Sequence, residues 1–297
     1  MNEACSLGML EGLAEAVLAN ERLLHRTAAW LIILVGCAVL VVELGLGARA
    51  PYGRHASLPV ARYYGPTLHP KVAWAFQESW ALAAPVALLA CGGTSPHCLA
   101  TPGNVALLAM YLAHFGHRTA VYPLRLRGGA RMPVGLCVLA AAFLVFNGYV
   151  QARAWMAFDE RPVDSAAAAI TLVTGSALWA VGFGINLHSD GVLRGLRAPG
   201  ESGYRVPQGG AFEYVSCANY FGETVEWCGY ALASGGALPA VAFAFFTFAN
   251  LAPRAHQHHR WAHMHTYACI HTRLHTCARC YPATASPLTA SPHIASH

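Results

Sequence analysis

Seven segments of the chain are apolar enough to lie inside a lipid bilayer, and they limit what the chain can fold into. A helix that crosses a bilayer needs about 20 mostly apolar residues, because its backbone must satisfy its own hydrogen bonds there. Only 11% of the residues are charged, against about 25% in soluble domains. The segments are 27–47, 72–90, 103–115, 133–150, 165–187, 218–233 and 237–251, of which the third and the last are short. We therefore predict an all-α membrane protein with seven transmembrane helices.

The basic residues predict how this bundle is oriented. In a seven-span topology the segments 48–71, 116–132, 188–217 and 252–260 lie on one side, and they contain most of the arginines and lysines. The opposite loops at 91–102 and 234–236 contain neither. Because cytosolic loops are enriched in Lys and Arg, we predict that the basic side is cytosolic, although Arg22 and Arg26 oppose this. The chain divides into a leader at 1–26, a membrane domain at 27–260 and an atypical tail at 261–297.

A polar stripe with helical spacing follows the fifth apolar segment. It consists of Asn186, Asp190, Arg194 and Arg197, at positions i, i+4, i+8 and i+11. Arginine presents a rigid fork of donors that suits phosphate oxygens, so the stripe is a candidate clamp for a nucleotide. Alternatively, the arginines extend into the lipid headgroups, and Asp190 and Arg194 form an ordinary helix pair.

Two apolar segments carry polar residues at membrane depth. Gln77 and Glu78 lie in the second, and one face of the sixth carries Asn219, Glu223, Glu226 and Tyr230. Ionisable groups inside a membrane are costly and commonly mark a functional site. The alternative is that they pair with one another or with arginines and hold the bundle together. A channel or transporter would also place polar groups there, but would not explain the arginines beside the glycine-rich loop.

Several familiar kinds of site are excluded by the motifs. Gly182 and Gly184 form a GxG, but it lies in an apolar helix without the strand, turn and remaining glycine of a dinucleotide fold. Neither a phosphate-binding P-loop nor a Gly-x-Ser-x-Gly turn occurs. The net charge of +5 is spread over loops, so we expect no nucleic acid partner. Cys91 and Cys98 share a loop and could form a disulfide if that loop is lumenal, and whether they do is left open by the sequence.

A set of motifs in the membrane domain resembles the steroid 5α-reductases. Among them are AWAFQE at 73–78, HFGHR at 114–118, INLHSD at 185–190, GYRVPQGG at 203–210, ANYFGE at 218–223 and EWCGYALAS at 226–234. The resemblance extends over about residues 30–260. It implies a multi-pass enzyme of the endoplasmic reticulum membrane with a cytosolic cofactor side. Such an enzyme uses NADPH to reduce the 4,5 double bond of a 3-oxo-Δ4 steroid such as testosterone or progesterone.

The resemblance also implies roles for individual residues. Glu78, beside Gln77, is expected to contact the steroid's 3-oxo group, with Trp74 and His114 as further substrate contacts. The expected NADPH contacts are Tyr52, Arg118, Tyr122, Arg127, Asn186, Asp190, Arg194, Arg197, Tyr204, Asn219, Glu223, Arg254, His258 and His259. Hydride addition to an enone pushes negative charge onto its carbonyl oxygen, which a neutral, hydrogen-bond-donating carboxyl at Glu78 would stabilise. We expect a steroid and the bilayer as partners, and neither a metal nor an obligate protein partner.

Phe115 departs from the motif of the family, which has a tyrosine at this position. That hydroxyl is the second group expected at the 3-oxo oxygen, and losing such a donor costs a factor of about 10² to 10³ in rate. Tyr111 lies one turn earlier and is a partial substitute, although one turn is about 5.4 Å. One alternative is therefore an impaired or inactive isoform that keeps the binding scaffold. Another alternative is a related reductase of enoyl thioesters or polyprenyl enones.

The tail after Trp261 is the second departure. It contains no Lys, Asp or Glu, and it contains His263, His265, His271 and His275 before the pair Cys277 and Cys280. These residue types would suit a zinc site. However, 262–273 and 275–279 can all be encoded by alternating purine and pyrimidine bases, so we favour a translated dinucleotide repeat. With little apolar content, the tail is expected to be disordered and to weaken NADPH binding by replacing family residues.

Overall fold

The structure is a computed structural model that describes residues 2–48, 58–196 and 206–280, with the backbone alone described for 2–19 and 263–280. The described residues form ten α-helices and one short antiparallel strand pair. The helices are α1 (Asn2–Leu40), α2 (Pro70–Ser79), α3 (Ala83–Ala90), α4 (Pro96–Ala100), α5 (Pro102–Gly116), α6 (Tyr122–Arg125), α7 (Val134–Arg153), α8 (Ala166–Gly195), α9 (Ala218–Ala233) and α10 (Leu238–Cys280). The strands are β1 (Thr67–Leu68) and β2 (Met132–Pro133). The protein is thus mainly helical, as predicted.

Single turns of other helix types extend several of these elements. Turns of π-helix continue α1 at Val41–Gly45, α5 at His117–Val121 and α7 at Ala154–Phe158. Turns of 3₁₀-helix lie at Pro59–Tyr64, Trp80–Leu82 and Gly210–Glu213. The turn at Trp80–Leu82 joins α2 to α3, so the second predicted span is one nearly continuous rod.

Five helical segments of the described chain are long and apolar enough to cross a membrane. They are Asn20–Gly45, Pro70–Ala90, Val134–Phe158, Ala166–Gly195 and Leu238–Ala262. The third and sixth predicted spans coincide with α5 and α9, which have 15 and 16 residues and are short for a bilayer. Large apolar side chains such as Leu31, Leu139 and Val173 are exposed on the outside of the bundle. The fold is that of a multi-pass membrane protein, and the number of seven crossings stays a prediction.

Three helices extend beyond the predicted spans. Helix α1 begins at Asn2, so the predicted leader is helical and continuous with the first span. Helix α8 continues to Gly195, which places most of the predicted polar stripe on a helix. Helix α10 continues to Cys280, beyond the last predicted span at 237–251. The physical reason is that no glycine or proline occurs between Pro253 and Pro282 to stop the helix.

Helices α8 and α9 interlock through four glycines. A Cβ atom at Gly175 or Gly182 would collide with the backbone of α9, and one at Gly222 or Gly229 would collide with the backbone of α8. Each pair is seven residues apart, so the glycines follow one face of each helix. This close approach is typical of membrane helices that pack through small residues. It places the polar residues of the sixth span directly beside Asn186.

An aromatic core lies between α5, α7, α9 and α10. Trp155, Trp227, Tyr111, Tyr230 and Phe115 are all almost completely buried in it. The indole nitrogen of Trp155 donates a hydrogen bond to the hydroxyl of Tyr230 at 2.6 Å. Polar residues of the site pack against this aromatic core.

Cys91 and Cys98 do not form a disulfide. Both thiols are free, with Cys91 exposed and Cys98 buried. Cys98 lies in α4, whose first turn is capped by Ser95 and turned towards the interior. Sharing a loop did not bring the two side chains together.

Candidate active site

A cavity of about 350 Å³ opens at the basic end of the bundle. Its walls come from the start of α2, the loop between α6 and β2, the end of α8, residues 206–220 and α10. The predicted site residues that line it are Trp74, Tyr122, Arg127, Asp190, Arg194, Asn219, Arg254 and His258. Gly128 and Gly129 have positive φ angles, which the turn after Arg127 requires and which other residues rarely adopt. Segments far apart in sequence therefore meet around one polar cavity.

Arg118 lies buried at the inner end of this cavity. Its guanidinium carbon lies 4.8 Å from the ring centre of Trp74 and 4.4 Å from that of Tyr122. Its Nη1 atom lies 3.4 Å from Oδ2 of Asp190. The expected helix pair of Asp190 with Arg194 is therefore not the ion pair that forms, because the π-helical turn at His117–Val121 carries Arg118 to Asp190. An arginine that contacts two aromatic rings and a carboxylate is held in place.

Asn186 links α8 to α9 on the same side of the site. Its Nδ2 atom donates to the backbone oxygen of Asn219 at 3.0 Å and to Oε2 of Glu223 at 3.4 Å. Its Oδ1 atom is buried and accepts no hydrogen bond from the described residues. A buried oxygen of this kind costs free energy unless a donor reaches it. Asn186 thus offers an acceptor to a ligand that carries an amide or a hydroxyl.

Glu78 and Gln77 lie deeper than the cavity. Both are 7% exposed, and Nε2 of Gln77 donates to Oε1 of Glu78 at 3.3 Å. Glu78 follows Trp74 by one turn of α2, on the inner side of that ring, and is close enough to Arg118 and His114 for electrostatic interaction. The amide of Gln77 fixes the orientation of the Glu78 carboxyl group. The predicted catalytic residues Gln77 and Glu78 therefore lie behind Trp74, whose ring lines the cavity.

His114 contacts Glu226, a residue that we did not assign to the site from the sequence. Nδ1 of His114 lies 2.7 Å from Oε1 of Glu226, and the two side chains are 2% and 0% exposed. The rings of Phe115 and Trp227 cover the imidazole. Oε2 of Glu226 is buried and has no partner among the described residues. In the sequence, the helical spacing of Glu226 with Glu223 was the available signal that Glu226 belongs to the site. Its partner His114 is 112 residues away along the chain.

Phe115 and Tyr111 belong to the aromatic core. Phe115 is 2% exposed and contacts the rings of Trp227 and Phe243. The hydroxyl of Tyr111 donates to the backbone oxygen of Ala81 at 3.1 Å. That hydroxyl is therefore engaged elsewhere, which argues against Tyr111 as a substitute for a tyrosine at position 115.

The remaining predicted contacts are distributed around the cavity. Oγ of Ser216 lies 2.6 Å from Nδ1 of His259, and the ring of His258 lies edge-on to Tyr220. Arg254 lies 3.9 Å from Glu43 of the turn after α1. These contacts tie α10 to the cavity wall. Tyr52, Arg197 and Tyr204 lie outside the described residues.

Two titratable groups just beyond the third predicted span have strongly shifted pKa values. Burial, followed by the positive charge of Arg118, lowers the pKa of His117 to about 4. Burial, followed by the negative charge of Asp190, raises the pKa of Tyr122 to about 12. At neutral pH His117 is thus uncharged, and Tyr122 keeps the proton that it can donate into the cavity.

A metal site would need several ligands close together. Within them, no three His, Cys, Asp or Glu side chains lie together in a way that could hold a metal ion. The histidines and cysteines of the alternative zinc site belong to the tail, whose side chains lie outside the described residues.

Comparison with known proteins identifies the family. The sequence profile described as 3-oxo-5-alpha-steroid 4-dehydrogenase matches residues 130–273. The chain is 46% identical over 250 residues to 3-oxo-5-alpha-steroid 4-dehydrogenase 1 of Macaca fascicularis, which covers 83% of this chain and 90% of that protein. The chain belongs to the 3-oxo-5α-steroid 4-dehydrogenase family.

Other relatives agree with this assignment. The human 3-oxo-5-alpha-steroid 4-dehydrogenase 1 is 45% identical over 243 residues, with 82% of this chain and 90% of that protein covered. The rat 3-oxo-5-alpha-steroid 4-dehydrogenase 2 is 42% identical over 234 residues, with 77% and 89% covered. The resemblance seen in the motifs is confirmed. The family profile continues to residue 273, past Trp261, where we predicted that the departure of the tail begins.

The cavity of this family member fits a nicotinamide dinucleotide. A dehydrogenase needs a hydride carrier, and the protein must hold that carrier's phosphates and ring. Arg127, Arg194 and Arg254 line the cavity and suit phosphate oxygens. Nη1 of Arg194 is buried without a partner among the described residues, as is Oδ1 of Asn186. The site therefore has both unused donors and an unused acceptor.

Proposed function

We propose that this protein reduces the 4,5 double bond of 3-oxo-Δ4 steroids with NADPH, in the endoplasmic reticulum membrane. In this proposal the chain crosses the membrane seven times and the cavity faces the cytosol. The observation that carries the proposal is the position of Glu78, buried one helical turn behind a ring that lines a basic cavity. A carboxyl placed there contacts a ligand that enters from the apolar side, while the cavity holds the polar cofactor.

The bound NADPH would supply a hydride to C5 of the steroid. The electrons of the double bond then move towards the 3-oxo oxygen, where Glu78 in its neutral form donates a hydrogen bond. Gln77 holds the orientation of Glu78 through its contact at 3.3 Å. C4 takes up a proton, so that one enone, one NADPH and one proton give a saturated ketone and NADP⁺. Stabilising the developing oxyanion with a fixed donor is commonly the largest catalytic effect in such a reaction.

The residues around Glu78 have supporting roles in this proposal. Trp74 separates the polar cavity from the steroid and contacts both. His114 lies within electrostatic range of Glu78, and its bond to Glu226 holds it at the substrate side. A steroid is apolar and would enter from the lipid between helix faces.

The cofactor would be held mainly by side chains of α8, α9 and α10. Asn186, with Asn219 and Glu223 behind it, would bind an amide or hydroxyl group. Asp190 would keep the guanidinium of Arg118 in place at the inner end of the cavity. The phosphates would contact the arginines that line the cavity, together with Arg197 and the two tyrosines Tyr52 and Tyr204.

An impaired reductase is the second candidate function, and Phe115 favours it. The ring is packed between Trp227 and Phe243, and the nearest hydroxyl in the helix, that of Tyr111, is bonded to Ala81. Only Glu78 would then act on the 3-oxo oxygen. Removing one of two oxyanion donors lowers the rate by about 10² to 10³, while steroid and NADPH binding would remain.

The experiment is conversion of testosterone and progesterone by membranes that contain this chain, with and without NADPH. Glu78→Gln is expected to abolish conversion, whereas Glu160→Gln, an exposed acid far from the cavity, is the matched control and should not change it. Conversion that survives Glu78→Gln would contradict the role of Glu78. Activity only on enoyl thioesters or polyprenyl enones would replace the steroid proposal, and steroid and NADPH binding without conversion would favour the second candidate.

A further inference from the structure

A second cleft of about 460 Å³ lies beside the cavity. Its lining consists of Lys71 at the start of α2, residues 124–127 at the end of α6, and Gly191, Arg194 and Gly195 on α8. Four of these side chains are cationic, and no carboxylate belongs to the lining. Four positive charges around one concave surface repel one another, so the cleft favours an anion.

The cations of the cleft are only partly engaged with the protein. Nζ of Lys71 donates to the backbone oxygen of Leu124 at a long distance of 3.4 Å. Nη1 of Arg194 is buried and has no hydrogen-bond partner in the described part of the chain. Buried donors are rarely left without an acceptor in proteins. A bound anion would supply the acceptor that Arg194 lacks.

The floor of the cleft leaves room for such an anion. Gly191 and Gly195 are the α8 residues on either side of Arg194 in the lining, and neither has a side chain to fill the space. A Cβ atom at Gly195 would meet nothing within 4 Å, and one at Gly191 would meet only the guanidinium of Arg194 at 3.6 Å. An anion can therefore approach the helix surface and reach the guanidinium.

The two cavities share part of their walls. Leu126, Arg127 and Arg194 line both of them. A ligand that fills the first cavity can thus extend one group past these residues into the second. Because the second cleft is cationic and open to solvent, that group should be a compact dianion such as a phosphomonoester.

We propose that the second cleft binds the 2′-phosphate of NADPH, and that Lys71 and Arg125 thereby select NADPH over NADH. This inference rests on the proposed function, since it assumes that the first cavity holds a nicotinamide dinucleotide. The 2′-phosphate is the group that distinguishes the two cofactors. Lys71 and Arg125 line only the second cleft, so they should act on this phosphate and not on the rest of the dinucleotide.

The test measures binding to the purified full-length chain in detergent, without turnover. The probes are NADPH, NADH, adenosine 2′,5′-bisphosphate and adenosine 5′-monophosphate, each followed by equilibrium displacement. Lys71→Gln and Arg125→Gln should each weaken NADPH and the bisphosphate by about tenfold, which corresponds to one lost charge-assisted hydrogen bond. NADH and the monophosphate should bind as before. Arg62→Gln, an exposed cation outside both cavities, is the matched control.

Each other outcome separates this inference from the proposed function. Wild-type protein that prefers NADPH, with variants that keep the same preference, would overturn the assignment of the cleft alone. Equal losses for NADPH and NADH would also overturn it, since a general change in charge would then explain them. The substitutions could instead leave cofactor binding unchanged and weaken binding only to vesicles that contain phosphatidic acid, and not to vesicles of phosphatidylcholine alone. That result would assign the cleft to a lipid headgroup. Wild-type protein that binds neither cofactor would contradict both proposals.

Discussion

A single methyl group at Gly182 should disturb the cofactor site from a distance. The Cβ atom of Gly182→Ala would lie 2.6 Å from the Cα atom of Glu226, whereas carbon atoms in contact prefer about 3.5 to 4.0 Å. Helices α8 and α9 would therefore have to separate locally by about 1 Å. Because the obstacle is backbone, no side-chain rotation can relieve the overlap. Overpacking of this kind costs about 1 to 3 kcal/mol of stability.

The same separation should reach Asn186, one turn along α8 from Gly182. Its hydrogen bond to Glu223 is already 3.4 Å long. The upper limit for a hydrogen bond is about 3.5 Å, so a further separation of about 1 Å would break this contact. Losing this contact should cost about 1 kcal/mol, or about fivefold in NADPH affinity. The effect on binding is thus separate from the effect on folding.

Two matched glycines make this reasoning refutable. Gly184→Ala lies on the same helix, but its Cβ atom meets nothing within 4 Å, so it should be neutral or slightly stabilising. Gly175→Ala has the same kind of overlap, with the backbone of Ala233, but lies farther from Asn186 and should destabilise the protein with less effect on binding. The assays are the midpoint of thermal unfolding in detergent and equilibrium binding of NADPH. Equal effects of Gly182→Ala and Gly184→Ala in both assays would refute this link between helix packing and NADPH binding.

Three further predictions concern the polar residues of the site and the positions beside it. Phe115→Tyr should raise the turnover of steroid substrates by a factor of about 10 or more by restoring an oxyanion donor; a steady-state assay in which kcat stays unchanged would refute the impaired-enzyme interpretation. Glu226→Leu should destabilise the protein by about 1 to 3 kcal/mol because it leaves the buried imidazole of His114 without its hydrogen-bond partner, whereas Glu226→Gln keeps an acceptor and should cost less in thermal unfolding. His117 has a pKa of about 4 in the folded protein, below its unfolded value, so the unfolded chain binds more protons and stability should fall as the pH drops from about 6.5 towards 4. His117→Gln should remove part of this pH dependence in thermal unfolding, and an unchanged pH profile would contradict the prediction.

The sequence alone predicted the architecture well because its signals are local. Apolar runs of sufficient length predict membrane helices wherever they occur, and each of the seven predicted spans coincides with a helical segment. The motif around Glu78 predicted a buried acid on α2, which the structure confirms. Clusters of arginine between apolar segments indicated one basic end, and the cavity opens there.

Helix ends and turns were predicted less well. The last predicted span ended at residue 251, whereas α10 continues to Cys280 because nothing in 254–280 stops a helix that has already formed. Whether Cys91 and Cys98 pair was left open by their proximity in sequence, because the direction of a side chain depends on the packing of its helix, and both thiols are free.

Which polar residues meet was decided only by the tertiary structure. His114 contacts Glu226 across 112 residues, and Arg118 contacts Asp190 across 72. The cleft around Lys71 and Arg125 brings together residues of α2, α6 and α8. A pattern along the chain shows which face of a helix is polar, since that depends on helical periodicity. Which faces come together depends on where backbones can approach, and in this protein the interlocked glycines of α8 and α9 decide that approach for those two helices.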